Sequence, residues 1–351
     1  MVCVSCFCAS LCFVNGFLGK RYWSIVFFTW DDVVRICREV AQFPRDFVSD
    51  ELRGWNWSRP PVLFTGCVRL GVSDVVGEFC SSGRDVYLRY VVRVRERVSE
   101  RVFVGALVHR IFHELVVAVK RVLYGSLVES GMELLEVLKS EGKKVFSKVV
   151  DFSNCPLSRD FVESLFWNLW SQGATVYSGM FDKIRRGRTV SFVDSLALQV
   201  VPLVSEVCLD GSLVGLGNVR VDAVLYPNIP VEIKVGQGGR GELALAGYAL
   251  VMESLFSQPV DFGILVNVSV NQDGEVSWSW KLVQISDDLR LEFLHERDRK
   301  ADIVDKQIDP GLSQHCSPSC PFYEYCTGKR VETREKKAQD KPSRRVRIRM
   351  L

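Results

Sequence analysis

The sequence predicts a mixed α/β fold, because its hydrophobic pattern changes period along the chain. Before about Ser191, apolar residues recur at three- and four-residue steps, as on the buried face of amphipathic helices. After that point, short runs rich in valine and leucine alternate with turn residues, which is typical of strands. With 351 residues, 47% of them hydrophobic, the chain can bury a full core.

The predicted elements follow the order helix, three strands, helix, strands, with a helical insertion after the helix that leads into the sheet. In the first half we expect a helix capped by Thr29 or Asp31 that ends near Val40, a short helix capped by Ser73 that ends near Cys80, and helices over 84–94, 105–123, 125–150 and 158–185. In the second half we expect strands over 198–209, 213–225, 231–235, 262–270 and 276–283, and helices over 242–257 and 287–306.

These elements suggest seven regions. They are an extension over 1–28, an N-terminal helical region over 29–104 that carries Cys80, a core helix over 105–124, a helical insertion over 125–190, a region of sheet and helices over 191–310, a cysteine segment over 311–330, and a basic tail over 331–351. The first 19 residues contain no charged side chain. They fit an over-called translation start, a short anchor or an ordered extension, and we favour the first.

The charge of the chain is concentrated at its end. Lys329 to Leu351 contain ten Lys/Arg and three Asp/Glu, although the whole chain has a net charge of +3. Such a tail suits a polyanionic partner, or it is a solvated disordered terminus. No stretch beyond the uncharged start is expected to span a bilayer, so we expect a cytoplasmic protein without a membrane partner.

Three charged residues on two predicted strands form the strongest local signal. Glu232 and Lys234 share one face of a strand, because alternate side chains point the same way. If the hairpin is symmetric about Pro227, Asp222 lies opposite residue 232 on that face. Carboxylates in this arrangement suit Mg²⁺ or Mn²⁺, although an acid–x–Lys pattern is also common on solvent-facing strands.

Three more residues are candidates for the same site. Glu206, one strand earlier, is either an accessory acid or an exposed strand residue. A neutral His109 could complete a metal shell, and Gly105 one turn before it is expected to allow close approach of helix and sheet. For His113, one further turn along, a structural role is favoured.

A second site is predicted from the cysteines. Of the twelve cysteines, Cys316, Cys320 and Cys326 have a spacing that favours metal binding over disulfides. Three thiolates need a fourth ligand, for which Cys80 is our choice and His315 the rival. Zinc and a [4Fe–4S] cluster both fit thiolates.

Taken together, these residues resemble the CRISPR-associated RecB-like exonucleases with an iron–sulfur cluster (the Cas-four family), and more closely their archaeal type I-A branch, Csa-one. The similarity covers roughly Phe27 to Arg330. The stretches that carry it are 51–57 (Glu-Leu-Arg-Gly-Trp-Asn-Trp), 84–89, 105–109, 215–222 and 243–250.

The resemblance implies a PD-(D/E)XK restriction-endonuclease-like core with a helical insertion and a C-terminal cysteine cluster. Its implied catalytic residues are His109, Asp222, Glu232 and Lys234, with the Ile233 carbonyl as a further metal ligand and with Cys80, Cys316, Cys320 and Cys326 around a [4Fe–4S] cluster. Tyr248 matches a tyrosine that helps to grip DNA. Ala244 replaces the glutamine of that motif, and His113 replaces an acid.

The implied activity is metal-dependent exonucleolytic cleavage of single-stranded DNA or DNA ends, which would trim spacer precursors during CRISPR adaptation. Partnership with the adaptation integrase and related Cas proteins is implied as well. Two alternatives remain open. One is a weakly active or inactive scaffold subunit of the adaptation complex, and the other is a zinc-binding nucleic-acid module.

Overall fold

A computed structural model of the chain describes residues 27–43, 48–77, 80–96, 99–150, 155–187, 192–236, 239–318 and 320–328. The extension before residue 27 and the basic tail after residue 328 lie outside the described residues, so the expectations for them stay predictions. The described part has the predicted mixed α/β architecture, with one sheet and helices on both sides.

The described strands form a five-stranded sheet in the order β1-β2-β3-β4-β5. They are β1 (Leu203–Asp210), β2 (Asn218–Leu225), β3 (Ile229–Val235), β4 (Phe262–Val270) and β5 (Val276–Gln284). Neighbouring strands are antiparallel except β3 and β4, which are parallel. A parallel pair needs a long crossover connection, and the helix between β3 and β4 supplies it.

The described α-helices number ten. They are α1 (Trp30–Val40), α2 (Val72–Val76), α3 (Arg84–Tyr87), α4 (Glu100–Gly125), α5 (Gly131–Val149), α6 (Arg159–Arg186), α7 (Val193–Val200), α8 (Gly241–Phe256), α9 (Asp287–Lys306) and α10 (Tyr323–Thr327). A π-helical turn over Leu88–Val92 extends α3. Thr29 caps α1 as expected, since its side chain and that of Asp32 form a reciprocal capping box.

Two hydrophobic clusters lie on the two sides of the sheet. Helices α4, α5, α6 and α7 lie on one side, where their buried residues form one cluster with Val231 and Ile233 of β3. Helices α2, α8 and α9 form the other cluster around Leu265 of β4. Because alternate strand residues point to opposite faces, Glu232 and Lys234 point toward the α8 side.

Several predicted boundaries were wrong, and three of the elements differ for a local reason. Residues 198–200 belong to α7 rather than to a strand, since Ala197 and Val200 are buried on one side of a helical turn. Strand β2 begins at Asn218 rather than near 213, because Gly215 has a φ of 75° within a turn. Helix α2 is capped at Gly71 rather than Ser73 and ends at Val76, so Cys80 lies in the loop before α3.

One helix differs from the expectation about membranes. Among the described residues, α4 is long and apolar enough, by length and composition, to cross a bilayer. Half of its most apolar 18-residue stretch is buried inside the protein. The core helix of a soluble protein passes the same test. Here the buried side of α4 contacts α6 and the sheet.

A buried ion cluster fixes α8 to the segment around Gly54. Glu253 is fully buried, and its carboxylate accepts hydrogen bonds from Arg290 at 2.8 and 2.9 Å and from Arg53 at 2.9 Å. The Gly54 N–H donates to the same carboxylate at 2.8 Å. A β-carbon on Gly54 would lie 1.9 Å from the Leu250 carbonyl oxygen, so only glycine fits against α8 here.

Glu253→Ala is expected to lower the free energy of unfolding by about 3–5 kcal/mol, since it leaves the fully buried Arg290 without its carboxylate, whereas Arg53 keeps its pair with Asp261. Glu163→Ala is the matched control, because Glu163 forms an exposed pair with Arg159, and it should cost below about 1 kcal/mol. Chemical denaturation of both variants measures the difference. Equal losses would contradict the buried-cluster interpretation.

Candidate functional site

The site begins where strands β2 and β3 separate. Their pairing covers Ala223↔Val231, Val224↔Pro230 and Leu225↔Ile229, so the hairpin is centred on Pro227 as predicted. Strand β3 begins at Ile229, two residues before the predicted start at Val231. Beyond this ladder, the Ile233 N–H donates to the Asp222 carboxylate at 2.7 Å. A side chain therefore replaces a main-chain acceptor, and the two strands separate at Asp222.

Helix α4 brings an imidazole to this point. His109 Nδ1 lies 3.2 Å from Asp222 Oδ1. Ligand atoms of His109, Glu206 and Asp222 all lie within 4.8 Å of one another, and this is the one such group found among the described residues. One imidazole and two carboxylates at this spacing are a suitable donor set for a divalent cation of the Mg²⁺ or Mn²⁺ kind.

Glu206 reaches the site through an unusual backbone conformation. Its φ is 54°, in the left-handed region, although it lies within β1 between the paired residues Ser205 and Val207. Such a conformation costs about 1–3 kcal/mol for a non-glycine residue and is concentrated at functional sites. Arg220 pairs with the Glu206 carboxylate at 3.2 Å. Of the two interpretations left open by the sequence, the geometry favours the accessory acid.

The predicted pair on β3 is brought together on the α8 side. Lys234 Nζ lies 2.5 Å from Glu232 Oε1, and the Tyr248 hydroxyl donates to Glu232 Oε2 at 2.7 Å. Burial, followed by the nearby charge of Asp222, raises the pKa of Glu232 above its usual value. Burial and the same acids raise the pKa of Tyr248 well above 10, which keeps its hydroxyl a donor. In this structure Tyr248 thus positions Glu232.

The nearby carboxylates also change the pKa of His109. Burial alone would lower the pKa of His109, but the charge and hydrogen bond of Asp222, together with Glu232 and Glu206, raise it to about 9. In the metal-free protein His109 is therefore protonated at neutral pH. A metal ion requires the neutral ring, so its binding would release this proton.

Two neighbours of His109 have other roles. His113 Nδ1 lies 2.9 Å from the Ser205 hydroxyl, and burial lowers the pKa of His113, which agrees with a structural role. The expectation for Gly105 was wrong. A β-carbon there would meet no atom within 4 Å, so Gly105 does not mediate close packing and instead leaves open space one turn before His109.

The four predicted cysteines surround one cavity. Cys80 lines it together with Cys316, Cys320 and Cys326. All four are free thiols, whereas His315 is exposed and does not line the cavity. Burial, with smaller effects of nearby groups that include Cys80, raises the pKa of Cys320 to about 11. Thiolates here would need a bound cation to become stable.

The spacing of the sulfurs bears on which group would fit. Among the described residues, no three cysteine sulfurs lie mutually within 4.8 Å. Four sulfurs around a tetrahedral zinc ion would stand about 3.8 Å apart, given Zn–S bonds of about 2.3 Å. The described sulfurs therefore do not have the spacing of ligands around a single zinc ion.

Sequence reasoning missed the polar residues beside this cavity. Arg84 pairs with Asp309 at 2.6 Å and lies 3.7 Å from the Cys326 sulfur. Behind them, Lys300 is buried and donates to the carbonyl oxygens of Asp74 and Gly77 at 2.8 and 2.9 Å. The position of Arg84, soon after Cys80, was the signal that could have been used.

A fold and site of this kind define the class: a mixed α/β protein with an acidic, imidazole- and lysine-containing site, as in nucleases that use a divalent cation. The family model of the CRISPR-associated exonuclease Csa1 matches residues 26–330. The chain therefore belongs to the CRISPR-associated exonuclease Csa1 family, and the resemblance inferred from its sequence is confirmed.

Two relatives carry that name. The protein of Saccharolobus solfataricus is 38% identical over 305 residues, which cover 86% of this chain and 99% of that protein. The protein of Thermoproteus tenax is 28% identical over 299 residues, which cover 84% of this chain and 98% of that one.

The stability of the metal-free protein should depend on His109. Because the folded pKa of about 9 lies above the usual 6.5, the charged pair with Asp222 stabilises the protein below pH 6.5, and this contribution disappears as pH rises through about 9. It amounts to at most about 3 kcal/mol. Denaturation in a chelator at about pH 6 and about pH 10 should show this loss in the wild type and not in His109→Gln. An equal change in the free energy of unfolding between the two pH values in both proteins would refute the pairing of His109 with Asp222.

Proposed function

We propose that this protein is a metal-dependent exonuclease that acts on single-stranded DNA or on DNA ends. The observation that carries the proposal is the convergence of His109, Asp222 and Glu206 at the separation of β2 and β3, with Glu232 and Lys234 beside them. The names of the relatives support exonuclease activity linked to CRISPR. The Asp222, Glu232 and Lys234 pattern on β2 and β3 supports a PD-(D/E)XK core.

In this proposal His109, Asp222, Glu232 and the Ile233 carbonyl would hold Mg²⁺ or Mn²⁺, although the group of ligand atoms within 4.8 Å of one another contains Glu206 and not Glu232. The ion would supply a more acidic bound water and a positive charge against the scissile phosphate. Lys234 is placed to orient or deprotonate the attacking water and to offset phosphate charge. Tyr248 holds the Glu232 carboxylate in place through its hydroxyl. The additional role of Tyr248 in gripping DNA stays a proposal.

Glu206 serves as the accessory acid of the site. Its carboxylate oxygens are shared between the metal group and the guanidinium of Arg220, so it can bind a cation through one oxygen while Arg220 fixes the other. The strained φ of Glu206 is the local cost of this placement. The Glu206 carboxylate could bind a second metal ion or orient a water molecule.

The four cysteines around the first cavity are proposed to hold a [4Fe–4S] cluster with a structural role. They come from the loop before α3 and from the segment after α9, so a bound cluster would fasten these two distant segments to each other. The wide spacing of their sulfurs supports the cluster over zinc.

In the cell, trimming of spacer precursors during CRISPR adaptation is the role that we propose, with the adaptation integrase and related Cas proteins as partners. The support is the name of the relatives, which are CRISPR-associated exonucleases. The basic tail would add salt-dependent affinity for DNA that does not depend on sequence.

Asp222→Ala and Lys234→Ala should each reduce Mg²⁺- or Mn²⁺-dependent cleavage of single-stranded DNA by at least about 100-fold, since one removes a metal ligand and the other the group beside the water. Lys306→Ala is the matched control, because Lys306 is exposed and pairs with Asp302. A divalent-ion titration of cleavage, with thermal unfolding of each variant, measures the effect. Cleavage absent from the wild type would favour a scaffold subunit.

Cys80→Ser should remove most iron and acid-labile sulfide from anaerobically purified protein, because it takes away the ligand that joins the two ends of the chain. Cys208→Ser is the control, since Cys208 is an exposed free thiol outside the cavity. Metal analysis and visible absorption measure the content of both variants. Zinc without iron in the wild type would replace the cluster proposal with the zinc-binding alternative.

A further inference from the structure

A second cavity lies beside the candidate active site, on the α8 side of the sheet. It has a volume of about 340 Å³, which is within the range of small-molecule pockets. It is formed by the start of α8, by β4 and β5, and by the start of α9. Its polar lining residues are Arg240, Glu242, Asn267, Lys281 and Glu292.

The cavity is continuous with Lys234. In the parallel ladder of β3 and β4, Lys234 is the direct partner of Asn267, which lines the cavity. Gly239 and Gly241, also in the lining, lie against the Lys234 side chain. A β-carbon on Gly241 would be 3.4 Å from Lys234 Cγ, and one on Gly239 would be 3.8 Å from Cε. A strand bound with its phosphate at Lys234 would thus have one of its nucleotides next to the cavity.

The charges in the cavity are balanced. Lys281 pairs with Glu242, and Arg240 pairs with Glu292. The two cations are therefore neutralised by their own carboxylates, which disfavours a phosphate as the occupant. A neutral group with several hydrogen-bonding atoms fits this lining better.

The remaining walls are mainly polar, with a small apolar part from Leu243, Leu265 and Leu289. Asn267 provides one acceptor and two donors. The Asn267 side chain makes no hydrogen bond within the part of the chain that the structure describes, so its amide is available to a ligand. Edges that hydrogen-bond and faces that contact apolar side chains are the features of a nucleobase.

We propose that this cavity binds an unpaired nucleobase of the substrate strand, at the nucleotide next to the scissile phosphate. The inference rests on the proposed nuclease function and adds to it a reason for single-strand selectivity. A base that is paired in a duplex cannot enter the cavity without first being unpaired and unstacked. Asn267 is then a positioning residue, which fixes the nucleotide so that its phosphate meets Lys234.

The test uses oligonucleotides in which one abasic nucleotide is moved along the strand, with the full chain and Mn²⁺. In the wild type, an abasic nucleotide at one position next to the cleaved bond should lower kcat/KM by roughly 5- to 100-fold, the range of a lost base contact. Abasic nucleotides at distant positions should have little effect.

Two variants connect this effect to the cavity. Asn267→Ala removes the amide, and Leu289→Trp fills the space. Each should cleave the intact strand less well than the wild type and should lose most of the discrimination against the abasic strand. Asn218→Ala is the matched control, because Asn218 is an exposed strand residue outside the cavity, and it should behave as the wild type.

The outcomes separate this inference from the proposed function. Metal-dependent cleavage in the wild type that is equally fast with every abasic strand would overturn the base-binding proposal and leave the nuclease proposal intact. Discrimination that persists unchanged in Asn267→Ala, a variant that leaves the apolar walls in place, would also overturn it. No metal-dependent cleavage of any strand would instead refute the proposed function.

Discussion

The bond between the Asp222 carboxylate and the Ile233 N–H is the constraint on which the rest of the site depends. In a regular hairpin, that N–H would donate to a main-chain oxygen of the neighbouring strand. Here the carboxylate takes it, so the hydrogen-bonding need of the buried strand is met although the ladder has ended. The separation of the strands then leaves room for His109 from α4 to reach the same carboxylate. Asp222 is thus both a structural acceptor for the sheet and the centre of the candidate metal group.

Three carboxylates at one place are costly without positive charge nearby. The protein distributes that charge over separate partners. Lys234 contacts Glu232, Arg220 contacts Glu206, and a protonated His109 contacts Asp222. Each acid therefore has its own compensating cation in the metal-free state. A divalent ion in this group would replace the proton of His109, and the lysine and the arginine could keep their carboxylate partners.

Much of the sheet could be predicted because its signals are local. Two local patterns predict the register of β3 against β2. They are the alternation around Glu232 and Lys234 and the symmetric turn at Pro227, and each agrees with the structure. The left-handed conformation of Glu206 could not be predicted, since no sequence signal marks a non-glycine residue with positive φ inside a strand. The contact between Tyr248 and Glu232 was missed for another reason. It depends on how α8 lies across the sheet, which is set by the distant Glu253 cluster.

The thiols around the first cavity come from two distant parts of the chain, at Cys80 and at residues 316–326. Everything that makes up the sheet is synthesised between them. Closing so long a loop has an entropic cost that local helices do not have, and folding of the intervening chain would offset it by bringing the four sulfurs together. A cofactor bound there would be acquired late, and its presence would mark a molecule whose nuclease core is already complete. Loss of the cofactor would release both ends at once while leaving the active-site residues, which lie between them in sequence, on an assembled sheet.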